Sequence, residues 1–234
     1  KDQGKLDEAI EAYKKALSIK PNYIVTYLNL GTCFKDQGKL DEAINVYNKA
    51  LVLNPDYAEA YNHVGIVLQD QNKLEEAIEA YRKALSINPD YVEVYNNIGV
   101  VLQSQNKLNE AIEVYQKALS ISPDYAQVYK NIGNTYNVQG KLDKAMEAYN
   151  KAISIKPDFA VAYNNLALIL QEMNKFGDAK EAYNKAISIK PDYAEAFNNM
   201  GLTLQYQGKI EDAIKSYKKA IKLKPNFVEP YNNL

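Results

Sequence analysis

Apolar residues return at helical spacing in two successive stripes, after which the pair of stripes begins again. Within residues 58–91, Tyr61, Val64, Gly65 and Leu68 form the first stripe. Leu74, Ala77, Ile78, Tyr81, Ala84 and Leu85 form the second. Polar residues fill the other faces, so each stripe predicts an amphipathic helix of about 14 residues. Between the stripes stands Asn72, and its equivalents are Gly4, Gly38, Asn106, Gly140, Asn174 and Gly208. Only Gly and Asn occur at this place, the residues that most readily take the left-handed conformation ending a helix. The second helix is predicted to stop at Asn88, because Pro89 steers the preceding residue out of the α region. Asp90 with Glu93, three places on, reads as a capping box for the next helix. Asp56 with Glu59, Asp124 with Gln127 and Asp192 with Glu195 repeat the pattern. Glu79 and Lys83 are spaced for an i,i+4 pair.

This unit recurs every 34 residues: Pro21, Pro55, Pro89, Pro123, Pro157, Pro191 and Pro225 keep the spacing without a slip. Tyr13 and Ala9 open two further series on the same period. A fixed period of this size predicts a solenoid whose units bury their apolar faces on one another. The expected organisation is one array over 1–234. It comprises a partial unit 1–23, full units 24–57, 58–91, 92–125, 126–159, 160–193 and 194–227, and a partial first helix 228–234. Both ends fall within a helix, so a fragment of a longer protein is expected. The half-helix 228–234 is placed to cover the first repeat of another copy by end-to-end stacking.

Glycine inside the first helix, at Gly31, Gly65, Gly99, Gly133 and Gly201, costs about 0.5–1 kcal/mol each relative to Ala. Repeating that cost implies close approach by a neighbouring helix, and Ala167 shows that one methyl is tolerated. Eighteen of the 20 tyrosines occupy three repeated places and are read as core; Tyr136 and Tyr206 fall outside them.

Charge narrows the partners. Net charge is −1, with no basic block, which disfavours nucleic acid and anionic membranes. No apolar run approaches membrane-spanning length and no signal peptide is visible, so a cytoplasmic location is expected. The single cysteine, Cys33, excludes an internal disulfide and a thiolate metal cluster, and its place among apolar positions predicts a structural thiol. With one histidine there is no histidine-rich catalytic or metal site. No nucleophile–base pair or phosphate-cradling loop is present, so the expectation is a non-enzyme without cofactor or metal.

The series Tyr61, Val64, Gly65, Leu68, Ala77, Tyr81, Ala84, Pro89 resembles the tetratricopeptide repeat, with Tyr where that family often has Trp. The resemblance covers essentially the whole chain. It implies an all-α, right-handed superhelical solenoid of antiparallel helix pairs whose first helices line a concave groove. It also implies a non-catalytic scaffold for a protein or peptide partner.

Two asparagine columns run along the predicted first helices. One is Asn29, His63, Asn97, Asn131, Asn165, Asn199 and Asn233; the other is Asn62, Asn96, Asn164, Asn198 and Asn232, with Leu28 and Lys130 in the remaining places. Asparagine is a mediocre helix former, whereas its amide both donates and accepts and can bond a peptide main chain whatever its side chains. The arrangement is similar to the asparagine ladder in the repeat arm of O-linked N-acetylglucosamine transferases and related plant fucosyltransferases. That similarity implies peptide-binding roles for Asn97, Asn131, Asn165 and Asn199. The alternative is that one column satisfies bonds between repeats. His63 interrupts the series as a polar residue. A second tetratricopeptide class, which grips chaperone C-terminal carboxylates, is matched by Lys130, Asn134 and Asn165. Glu195 and Asn199 stand where that class needs two basic residues. The remaining alternatives are the recruiting arm of a larger glycosyltransferase and a self-associating structural array.

Overall fold

The computed structural model describes residues 3–234, which form 14 α-helices and no strand. They fall into two compact units, 3–121 and 122–234. The first holds α1 (Gln3–Ile19), α2 (Ile24–Asp36), α3 (Leu40–Leu53), α4 (Ala58–Asp70), α5 (Leu74–Ile87), α6 (Val92–Ser104) and α7 (Leu108–Ile121). The second holds α8 (Ala126–Val138), α9 (Leu142–Ile155), α10 (Ala160–Glu172), α11 (Phe176–Ile189), α12 (Ala194–Tyr206), α13 (Ile210–Leu223) and α14 (Glu229–Asn233). In each unit a 13-residue first helix and a 14-residue second helix make a hairpin, and successive hairpins pack in series.

The hairpin bend is the one the Gly/Asn series predicts. Asn72 takes φ 60° and Gly38 φ 75°. At Asn72 the Lys73 N–H reaches Leu68 O (2.8 Å) while the Asn72 N–H reaches Gln69 O (2.9 Å), a Schellman pair that satisfies the orphan carbonyls. The same two bonds recur at Gly38, Asn106, Gly140, Asn174 and Gly208. Gly4 departs from its series. It lies inside α1, because a left-handed residue is required only where one helix reverses into the next.

Each hairpin closes on a tyrosine. Tyr47, Tyr81, Tyr115, Tyr149, Tyr183 and Tyr217 are at most 1% exposed. A β-carbon built on Gly133 would stand 2.6 Å from the Tyr149 ring, and the other four first-helix glycines lie equally close to theirs. Glycine is thus the seat of the ring of the partner helix. Hairpins are linked in turn by glutamine at the bend: Gln71 donates to Asp41 (2.8 Å) and Gln105 to Glu75 (3.0 Å).

The expected capping boxes do not form. The residue at the helix start is an aromatic, Tyr57, Tyr91, Tyr125 or Tyr193, and no side chain caps it. The two-residue turn formed by the proline and the aspartate begins the helix one place later than the Asp-x-x-Glu spacing needs. Glu59 and Glu93 therefore lie in the first turn, favoured by the helix dipole. Glu195 also lies in its first turn and accepts from Lys224 of the same repeat at 2.9 Å, and that bond chiefly holds its carboxyl below the ordinary range. Lys83 leaves Glu79 and lies over the Tyr61 ring, 5.8 Å from its centroid. Cys33 is half-buried beside Ile10, Leu30 and Val46.

Candidate functional site: the asparagine face

Both asparagine columns lie on first helices: α2 carries Asn29, α4 Asn62 and His63, and α6 Asn96 and Asn97. In the second unit α8 carries Lys130, Asn131 and Asn134, α10 Asn164 and Asn165, and α12 Asn198 and Asn199. Asn62, Asn96, Asn164 and Asn198 are buried, at 5–9% exposed, and Asn131 is buried as well. Asn97, Asn165 and Asn199 are half-buried, whereas Asn29 is open to solvent.

The columns bond to each other. In the first unit Asn97 Nδ2 donates to Asn62 Oδ1 (3.0 Å). Asn62 Nδ2 faces the Tyr91 hydroxyl at 3.4 Å, and Asn96 faces Asn97 at a long 3.5 Å. In the second unit the chain of bonds is longer. Asn233 donates to Asn198 (3.1 Å), Asn198 to Asn199 (3.4 Å), Asn199 to Asn164 (3.3 Å) and Asn164 to Asn165 (3.3 Å). Asn165 then donates to Asn134 (2.9 Å). A run of amides in which each donates to the next polarises its members in one sense.

Where the sequence departs from asparagine, the relay changes course for a visible reason. The partner of an exposed-column Asn is the residue 35 places earlier, as Asn97 with Asn62 shows. For Asn165 that place holds Lys130, which cannot accept, so Asn165 turns to Asn134 one helical turn further along α8. The Tyr149 hydroxyl also donates to Asn134 (2.8 Å), and the Asn165 amide faces its oxygen. For His63 the same place holds Leu28. With no amide to meet, the imidazole stacks on Tyr47, ring centroids 5.2 Å apart and 18° from parallel. Asn134 and the tyrosine hydroxyls are the partners that periodicity did not single out. Asn134 entered only with Lys130, through the resemblance to the carboxylate-gripping class, and nothing in the sequence marked the hydroxyls.

Burial sets the charge states. The His63 imidazole is pushed below its ordinary pKa by desolvation, with Glu59 raising it and Lys35 lowering it further. Lys130 is likewise lowered by burial. Desolvation raises the buried Tyr81, Tyr115, Tyr149 and Tyr183, so their hydroxyls stay neutral. Among the described residues no three His, Cys, Asp or Glu side chains converge as metal ligands. No helix among them is long and apolar enough to cross a membrane.

The family model of the cilia and flagella-associated protein 70 C-terminal domain matches residues 1–196, and that of the tetratricopeptide repeat matches residues 194–227. No curated protein matches. Among solved structures, the APC/C hetero-tetramer Cut9–Hcn1 is similar over 100% of this chain with TM-score 0.80 and 17% identity. This chain spans 46% of that one, and the likeness is one of fold. MamA is similar with TM-score 0.61 and 29% identity, covering 71% of this chain and 97% of its own. YrrB, described as a TPR protein with an unusual peptide-binding site, has TM-score 0.55 and 25% identity, covering 80% of this chain and 96% of its own.

Proposed function

This chain belongs to the cilia and flagella-associated protein 70 C-terminal domain family of tetratricopeptide repeats, and on that premise we propose that it is a non-catalytic scaffold holding an extended partner segment against its first-helix face. One observation carries the reading. Each relay amide spends one N–H and one lone pair on its neighbour, and an asparagine has two of each. Asn97 and Asn199 are half-exposed and keep a donor and an acceptor for a ligand main chain, whereas Asn165, whose amide also faces the Tyr149 oxygen, keeps an acceptor. The buried column, Asn62, Asn96, Asn164 and Asn198, fixes the planes of these amides in advance, which reduces the ordering cost of binding. His63 and Lys130 mark the places where the partner meets something other than an amide, and Lys130 favours a ligand oxygen there. YrrB, similar in fold and described by its peptide-binding site, lends support.

The ladder's likeness to the repeat arm of O-linked N-acetylglucosamine transferases belongs to the same proposal, with the array recruiting substrate for a larger enzyme. So do the single array over 1–234 and end-to-end stacking of copies through 228–234. The test uses extended peptides selected from a random library on the unaltered chain and measured by fluorescence anisotropy. Asn97, Asn165 and Asn199 are replaced by Ala, singly and together. Each bond is worth about 0.5–1.5 kcal/mol, so each single change should weaken binding about 2- to 12-fold. Unchanged affinity in a folded triple variant would refute the reading.

A further inference from the structure

A repeat array supplies its own control, since each position can be compared with its equivalents 34 residues away. By that measure α13 is out of line. Lys215 stands where the other second helices have Glu181, Glu147, Glu113, Glu79, Asn45 and Glu11. Lys222 stands where five have Ser and one Val, and Lys218 where three have Asn, one Gln and two a basic residue, Arg82 and Lys14. Six lysines lie between Lys209 and Lys224 against Glu211 and Asp212 alone. Lys215, Lys218, Lys219 and Lys222 share one exposed face at i, i+3, i+4 and i+7, a stripe about 10 Å long. Lys215 bonds Asp212 at 3.0 Å and Lys224 bonds Glu195, while Lys218 and Lys222 have no carboxylate within ion-pair distance among the described residues.

The second helix of the preceding repeat, α11, departs from its own series as well. Lys180 replaces an apolar residue, Ile or Met in every equivalent. The Asp212 carboxyl is held down by Lys215 first and, more weakly, by Lys180 and Lys209. One turn before Lys180, Phe176 stacks on Tyr206 at 5.7 Å, and Tyr206 is 66% exposed. Both are aromatic where their equivalents are not: Leu or Ile at the first place, Asp, Ser, Val or Glu at the second.

We propose that the outer face of α11 and α13 is a second docking surface, separate from the asparagine face, for an acidic protein segment with carboxylates at matching helical spacing. Charge complementarity selects the occupant. A nucleic acid strand fits less well, because its affinity comes from a long run of phosphates neutralised along the backbone, and four lysines over about 10 Å meet only a short part of one. This stripe is short and bordered by the carboxylates of Glu211 and Asp212.

The test uses a labelled helix-forming peptide with Glu at i, i+3, i+4 and i+7, its Gln counterpart, and the full chain. The variant restores residues that the chain itself uses elsewhere: Lys215→Glu, Lys218→Asn and Lys222→Ser together. The Glu peptide should bind at low salt, weaken roughly tenfold or more in the variant, and be displaced by salt that screens exposed charges within a few ångströms. The Gln peptide should not bind, and peptides selected on the asparagine face should keep their affinity. Three results would overturn the proposal: no binding of the Glu peptide, equal binding by the variant, or tighter variant-sensitive binding of oligothymidylate or phosphatidylserine vesicles. Self-association of the unaltered chain that the variant abolishes would also overturn it, since the occupant would then be a second copy.

Discussion

Replacing Asn97 and Asn62 with Ala, singly and together, measures how much of the amide relay is architecture. Asn97→Ala strips the donor from Asn62 Oδ1, which sits in a side chain only 7% exposed. Leaving a buried acceptor unmet costs about 1–3 kcal/mol. Asn62→Ala leaves Asn97 half-exposed, where water answers its N–H, so the cost should be nearer the net value of one bond, about 0.5–1.5 kcal/mol. In the double variant neither partner is stranded, and the losses should fall short of additivity by about 1 kcal/mol. Urea denaturation of the four proteins, followed by circular dichroism, yields the coupling from midpoints and slopes. A coupling below about 0.3 kcal/mol would mean that the 3.0 Å contact holds nothing, and the relay would lose its role in positioning the face.

Two further predictions follow from packing and charge. Gly133→Ala should destabilise by about 1–2 kcal/mol in the same denaturation assay, since overpacking against the Tyr149 ring outweighs the gain in helix propensity; a stabilised variant would contradict the contact. His63 has its folded pKa depressed by burial, so the unfolded chain binds the extra proton. The stability it contributes is fully present above about pH 6.5 and is lost as pH falls through the folded value. Denaturation midpoints should therefore drop more steeply on acidification for the unaltered chain than for His63→Asn, and parallel curves would refute the desolvation.

Local chemistry was the legible part of the sequence. Pro89, the Gly/Asn series and the apolar stripes each act within a few residues of themselves, so helix bounds and bends could be read directly. The tyrosine over Gly133 was legible only as a demand for a small residue, without naming what approaches. The asparagine relay was hidden for a different reason. Its bonds join residues 35 and 31 apart, as in Asn97 with Asn62 and Asn165 with Asn134, so the lateral offset between neighbouring helices decides them. The capping boxes misled because Asp90 and Glu93 have the right separation but the helix begins after Tyr91, which no spacing rule reveals.

In the second unit every inter-helix donor of the relay points toward the lower-numbered repeat, from Asn233 through Asn199 to Asn165. Such a track has a grain, like the nap of a cloth. Under the proposed binding role, a strand drawn along it N-to-C and the same strand reversed would set their own main-chain dipoles oppositely against that grain, so chain direction would be sorted before any side chain is inspected.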